Sequence, residues 1–111
     1  MDARLPAHLE ASGMIRAVEA AGGFAAVVQR GERDAGVILV ITRNRDADVR
    51  LWERMPQLDG SREFIVTRVE SAENKDEFFD YIERRRRSDP DCWVIELDIA
   101  HAERFIDSAL Q

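Results

Sequence analysis

The sequence predicts a small α+β domain on a five-stranded, mainly antiparallel sheet, with its helices packed on one face and a short C-terminal helix. Three observations lead there. An amphipathic helical run opens the chain, four β-type runs follow it, and a second helix separates these from a fifth. The links between the first four runs are short, which favours hairpins over parallel crossovers. The 111 residues suit one domain, 1–111, and a chain of this mass buries about two-thirds of its extended surface.

Pro6 suits the first turn of a helix, where its missing N–H costs nothing. Leu9, Met14, Ile15, Val18 and Ala21 then recur at helical spacing, with Gly13 as a weak point inside and Gly22-Gly23 as the stop. Phe24 to Val28 reads as a strand. Gly31 to Gly36 turns the chain into Val37 to Thr42, which is apolar on both faces and therefore reads as a central strand covered on both sides. Asn44 to Asp48 is a polar turn. In Val49 to Arg54, Val49, Leu51 and Glu53 point one way, and Arg50, Trp52 and Arg54 the other.

Asp59-Gly60 marks the next turn, and Arg62 to Val69 is a fourth strand. The second helix opens at Asn74, with Glu77 completing a capping-box-like pair, and stops at Asp89-Pro90. Cys92 to Asp98 is the fifth strand, and Ala100 to Leu110 a short helix. The expected core joins Ile15, Val18, Phe24, Val28, Leu39, Ile41, Phe78, Ile82 and Ile95. The expected strand order is a four-stranded meander, with the fifth strand left unplaced.

Two stretches carry a family resemblance. One is Ser88-Asp89-Pro90-Asp91-Cys92-Trp93-Val94-Ile95-Glu96-Leu97 after an arginine-rich helix end. The other is Gly22-Gly23-Phe24-Ala25-Ala26-Val27-Val28 running into Asp34-Ala35-Gly36. Together they resemble a family of small bacterial proteins known as domain of unknown function number fourteen ninety-one, over nearly the whole chain. The resemblance implies no activity, cofactor or ligand and supplies no functional residues. Cys92 stands where an apolar residue is usual in that family.

The net charge is -6, and an acidic surface repels phosphate backbones and anionic lipid. Lys75 is the only lysine beside fifteen arginines, a compositional bias that no fold requires. Cys92 is the sole cysteine, which excludes an internal disulfide and a cysteine-based metal cluster. Met1 to Pro6 shows no signal-peptide pattern, and the longest apolar run, Val37 to Ile41, is far short of a membrane span. These features lead to the expectation of a cytoplasmic protein with no cofactor, no metal, no membrane association and no nucleic-acid partner.

Four groups of residues compete for a functional role. Glu96 and Asp98 share a strand face, with His101 just beyond. Two carboxylates and a histidine suit acid–base work or a divalent cation, although acids at a strand end are usually just solvated. Arg50, Trp52 and Arg54, with Arg62 and Arg68 beside Phe64 and Val66, interleave arginines and aromatics as base-stacking or anion-binding sheets do. Cation–π packing explains the same pattern. Arg84-Arg85-Arg86-Arg87 winds almost fully round a helix, since consecutive residues step by about 100°. Pairing of Asp80 with Arg84 and of Glu83 with Arg87 accounts for that run better than a phosphate site. Cys92 beside Trp93 reads as a small buried thiol.

The leading expectation is a non-enzymatic interaction or accessory module acting through protein–protein contact. An enzyme or metal-binding protein using Glu96, Asp98 and His101 is one alternative, and a nucleic-acid accessory using the arginine-rich sheet face is another. The doubly apolar strand suggests a homodimer or a protein partner. Helices on one face would leave the other bare, with only Phe105, Ile106, Ala109 and Leu110 from the tail to cover it.

Overall fold

The computed structural model describes residues 5–109. Its element order is α1 (Ala7–Ala20), β1 (Phe24–Gln29), β2 (Ile38–Asn44), β3 (Ala47–Pro56), β4 (Arg62–Val69), α2 (Lys75–Ser88), β5 (Trp93–Asp98) and α3 (Glu103–Ala109). Each predicted run forms its element. Leu110, the end of the predicted tail helix, lies outside the described residues.

The five strands make one mixed sheet in the order β1-β5-β2-β3-β4. β5 lies between β1 and β2, antiparallel to the first and parallel to the second. The expected meander therefore holds for β2, β3 and β4 alone. The reason lies in the composition of β5: Trp93, Val94, Ile95 and Leu97 are all buried, and a strand apolar on both faces belongs in the interior of a sheet.

Helices cover both faces, which corrects the one-face arrangement. On one side Ile38, Val40, Trp93, Ile95 and Leu97 meet Ala7, Ala11, Met14 and Val18 of α1 and Ile106 of α3. On the other, Leu39, Ile41, Val49, Leu51, Cys92 and Val94 meet Phe78 and Ile82 of α2. The physical cause is β2, whose two apolar faces each need a lid, and α2 supplies the second one. The predicted core is thus two clusters. Val18 and Ile95 belong to the first, and Leu39, Ile41, Phe78 and Ile82 to the second. Ile15 is half-buried, and Phe24 and Val28 are exposed. Those two lie on β1, at the sheet's edge, and neither is part of the α2 cluster.

The two stretches that carry the family resemblance meet in space. Glu32 N–H donates to the Asp91 carbonyl at 2.8 Å, and the Trp93 indole N–H donates to the Glu32 carbonyl at 2.7 Å. A Cβ on Gly31 would run into the Asp91 carbonyl, and one on Gly36 would sit 2.6 Å from the same oxygen, so only glycine allows this approach. The same loop caps α1, because Ala7 N–H donates to Asp34 O and His8 N–H to Arg33 O, both at 2.9 Å. At the far end of α1, Gly22 takes a φ of 88°. Gly22 N–H bonds the Glu19 carbonyl and Gly23 N–H the Val18 carbonyl, the pattern of a Schellman stop.

Asn74 precedes α2 without capping it. Its amide side chain accepts from Ser71 N–H at 2.7 Å and donates to the Val69 carbonyl at 3.1 Å. The predicted capping box gives way to a side chain that pins the β4–α2 turn. Among the described residues, no helix is long and apolar enough to cross a membrane.

Candidate functional site

The parallel strands β2 and β5 end side by side at Arg43 and Asp98. A crevice outside the carboxyl ends of parallel strands is where open sheets commonly bind ligands. Here it is a shallow cleft of about 190 Å³ whose lining includes Thr42, Arg43, Asp48, Arg50, Trp52 and His101. The Trp52 indole N–H donates to Thr42 Oγ1 at 2.9 Å, which fixes the ring as one wall. Arg45, Asp48 and His101 hold φ values of 60°, 54° and 56°, a left-handed conformation that costs a non-glycine residue about 1 kcal/mol or more. All three sit at this end of the sheet. Arg50 and Asp48 have no ion-pair or side-chain hydrogen-bond partner among the described residues. They give the cleft one unpaired charge of each sign beside an aromatic wall, a setting able to hold a small polar molecule.

Glu96, Asp98 and His101 do not converge. Glu96 and Asp98 pair with Ala26 and Phe24 of β1 and share the sheet face that carries Val94 and α2. Glu96 accepts from Arg43 Nη2 at 3.2 Å, and Asp98 accepts from Arg45 N–H at 2.7 Å. His101 lines the cleft instead, with Nδ1 3.9 Å from a Glu103 oxygen. Among the described residues, no group of three or more histidine, cysteine or acidic side chains is placed to hold a metal ion.

The arginine-rich row is also divided. Arg50 and Trp52 line the cleft. Arg54 makes a two-point ion pair with Glu10 of α1, a carboxylate only 3% exposed, and lies over the Phe64 ring at 4.6 Å. Arg62 donates to the Arg54 carbonyl at 3.4 Å. Arg68 stands on the opposite face. A bulge between the Leu51 and Trp52 pairings puts Thr67 and Arg68 on the α2 side, where Arg68 stacks over Tyr81 at 3.8 Å.

Sequence reasoning missed what those residues build. Glu53 is 7% exposed and accepts from Thr67 Oγ1 at 2.5 Å, from Tyr81 OH at 3.1 Å and from Arg85 Nη1. Arg85 also donates to the Tyr81 hydroxyl at 2.8 Å. Burial pushes the Glu53 carboxyl up, but the bonds from Thr67, Arg85 and Tyr81 and the Arg85 charge outweigh it and hold it below the usual glutamate range. The legible signal was an acid sharing a strand face with Val49 and Leu51. In the rest of the arginine run, Arg86 pairs with Glu83 at 2.6 Å and Arg87 approaches Glu83 at 4.0 Å. The expected Asp80–Arg84 pair is not formed. Cys92 is fully buried, and burial together with the Asp89 charge pushes its thiol up, away from nucleophilic use.

The remaining candidate is the β1 edge. Phe24–Gln29 carries no charged side chain, Phe24 is 66% exposed, and Val27 and Val28 are exposed with it. Beyond the β5 ladder, the Phe24–Val28 backbone makes no hydrogen bond to another described backbone segment. An edge strand of this kind is a ready template for another strand.

Fold and surface together define a small α+β domain with a mixed five-stranded sheet between helical layers. The chain belongs to the DUF1491 family of proteins of unknown function, whose model matches residues 5–107. A crystal structure of a DUF1491 family protein from Caulobacter crescentus is 31% identical, with a TM-score of 0.77 over 92% of this chain and 94% of that one. The solution structure of Atu0922 from A. tumefaciens is 35% identical, with a TM-score of 0.74 over 93% and 92%. No curated protein matches the chain.

Proposed function

We propose that the protein is a non-enzymatic interaction module that docks a protein by adding a strand to β1. The observation that carries this reading is the uncharged, open edge of β1, with Phe24 66% exposed. Main-chain hydrogen bonds along such an edge supply affinity, and alternate side chains supply specificity. Support also comes from the groups an enzyme would need. Glu96 is taken up by Arg43, Asp98 by the Arg45 amide, and the Cys92 thiol is raised and buried. Arg54 and Arg68, two of the arginines a nucleic-acid surface would use, are engaged with Glu10 and Tyr81.

The test is affinity purification from the host with the unaltered chain and with Val27→Pro, which removes a donor on the open side of β1, because Val27 lies opposite Ile95, whose own N–H and C=O face β2. A protein recovered with the unaltered chain and lost with a folded Val27→Pro variant is the expected result. Equal recovery of every bound protein by both chains would sink the reading.

A further inference from the structure

We propose that the cleft at the ends of β2, β3 and β5 binds a small zwitterion, a free α-amino acid, with its carboxylate on Arg50 and its ammonium on Asp48. The site is separate from the β1 edge, since none of its lining residues belongs to that strand. Thr42, Arg50 and Trp52 reach it from one face of the sheet. Thr42 pairs with Arg50 and Val40 with Trp52, and Val40 and Trp52 pack in the α1 cluster. The β5–α3 link borders the cleft over that same face, through Ile99 and His101, and Ile99 packs against the same cluster. Asp48 arrives through an irregularity. Thr42 pairs with Arg50 and Asn44 with Ala47, so Asp48 and Val49 together oppose Arg43, a β-bulge. Val49 is buried in the α2 cluster, whereas Asp48 is exposed and lines the cleft. Asp48 and His101 both hold the left-handed conformation, at φ values of 54° and 56°, which glycine would adopt without strain. A carboxylate and an imidazole stand there instead, both on one cleft, and backbone strain of this kind gathers at ligand sites.

The charges select the ligand. Arg50 and Asp48 line one cleft from one strand, yet among the described residues they pair neither with each other nor with any other side chain. Two opposite charges that do not close on each other leave a span for a molecule carrying both. A bare anion would meet Asp48 and Glu103 in the lining, and a bare cation would meet Arg50, a like-charge cost in either case. Size narrows the class further. The cleft of about 190 Å³ has the volume of about six waters at roughly 30 Å³ each. It falls below the roughly 300–1,000 Å³ of pockets that enclose drug-sized ligands, so an amino acid suits it and a nucleotide does not. The Trp52 ring, held by its bond to Thr42 Oγ1, offers the ligand's side chain an apolar wall.

Nitrogen–proton correlation spectra of the full chain, titrated with each of the twenty standard amino acids, test this. The chain has two indole N–H signals, from Trp52 and Trp93, and a Trp52→Phe variant assigns them. The expected result is a saturable shift of the Trp52 signal by at least one amino acid, with a Kd tighter than about 1 mM, a modest figure for a molecule of roughly ten heavy atoms. Acetate, phosphate and methylammonium, which carry one charge sign each, should bind at least about ten-fold more weakly. Arg50→Gln should weaken the amino acid about ten-fold, as loss of a charge-assisted hydrogen bond does. Asp48→Asn should do the same while keeping a residue that tolerates the left-handed turn, and unchanged signals elsewhere in the spectra establish that both variants fold. No saturable shift with any amino acid overturns the proposal, as does undiminished binding by either variant. Acetate or phosphate binding as tightly as the amino acid overturns the zwitterion and leaves a plain anion site.

Discussion

The two edges of the sheet are handled in opposite ways. At the β4 edge, exposed Ile65 and Val69 are interspersed with Arg62, Glu63 and Arg68. A buried network then ties that strand to the body: Thr67 on β4, Glu53 on β3, and Tyr81 and Arg85 on α2 share one carboxylate. At the β1 edge no side chain is charged, the tie is the single neutral amide of Gln29 at the strand's end, which accepts from Arg86 of α2 at 3.2 Å and donates to the Cys92 carbonyl at 2.8 Å, and Phe24 stands largely in solvent. Charged edge residues discourage strand addition, and their absence permits it. The lesson is that edge protection is local to each strand, and the unprotected one marks where association belongs.

Removing the anchor of the β4 half should have the largest effect. Phe78→Ala deletes a ring that is 2% exposed and packs in the α2 cluster. Urea unfolding should show a loss of about 3–5 kcal/mol. Phe24→Ala, measured in dilute protein, should change stability by less than about 0.5 kcal/mol, as exposed positions do. Equal losses at the two positions would break the contrast between the halves.

Glu53→Ala comes next. It strands Arg85, Tyr81 and Thr67 without their acceptor, and breaking a buried ion pair from one side costs about 3–5 kcal/mol. Because Arg85 reaches solvent, the expected loss in chemical denaturation is nearer 2–3 kcal/mol. Hydrogen exchange should quicken in β4 and α2 and stay unchanged in β1. A uniform response across the sheet would show that the network does not belong to one edge.

The same carboxylate sets a pH dependence. Its folded value lies below the ordinary one near 4.5, so the folded state favours the charged form. The stability it contributes is complete above the unfolded value and is lost as pH falls through the folded one. The unaltered chain should therefore lose its advantage over Glu53→Gln progressively below about pH 4.5, in thermal melts at stepped pH. A constant difference from pH 7 to 3 would contradict the lowered value.

Val27→Lys should have the smallest effect on folding, within about 0.5 kcal/mol of the unaltered dilute chain. A loss above 2 kcal/mol would mean that β1 is packed more tightly than its exposure indicates.

Much of this architecture was legible. The doubly apolar Val37–Ile41 run announced a strand covered on both sides, and Gly22-Gly23 announced the stop of α1. The place of β5 was not read, because a short β1–β2 link looks like a hairpin until another strand claims the space. Yet Trp93-Val94-Ile95 was apolar on both faces too, and that was the available clue. The division of the arginine row was hidden for a different reason. The bulge at Thr67 leaves no mark in a run where Thr67 and Arg68 are both polar, and one extra residue turns Arg68 to the other face. The cleft joining Arg50, Trp52 and His101 depends on the ends of β2, β3 and β5 meeting, which no single segment encodes.

Amide hydrogen exchange along both edges, with and without the host protein recovered by affinity purification, tests the contrast most directly. The account predicts that Phe24–Val28 gains protection when that protein is added while Arg62–Val69 stays the same, and that Val27→Pro abolishes the gain. Unchanged exchange in β1, or protection that grows at β4 instead, would contradict it.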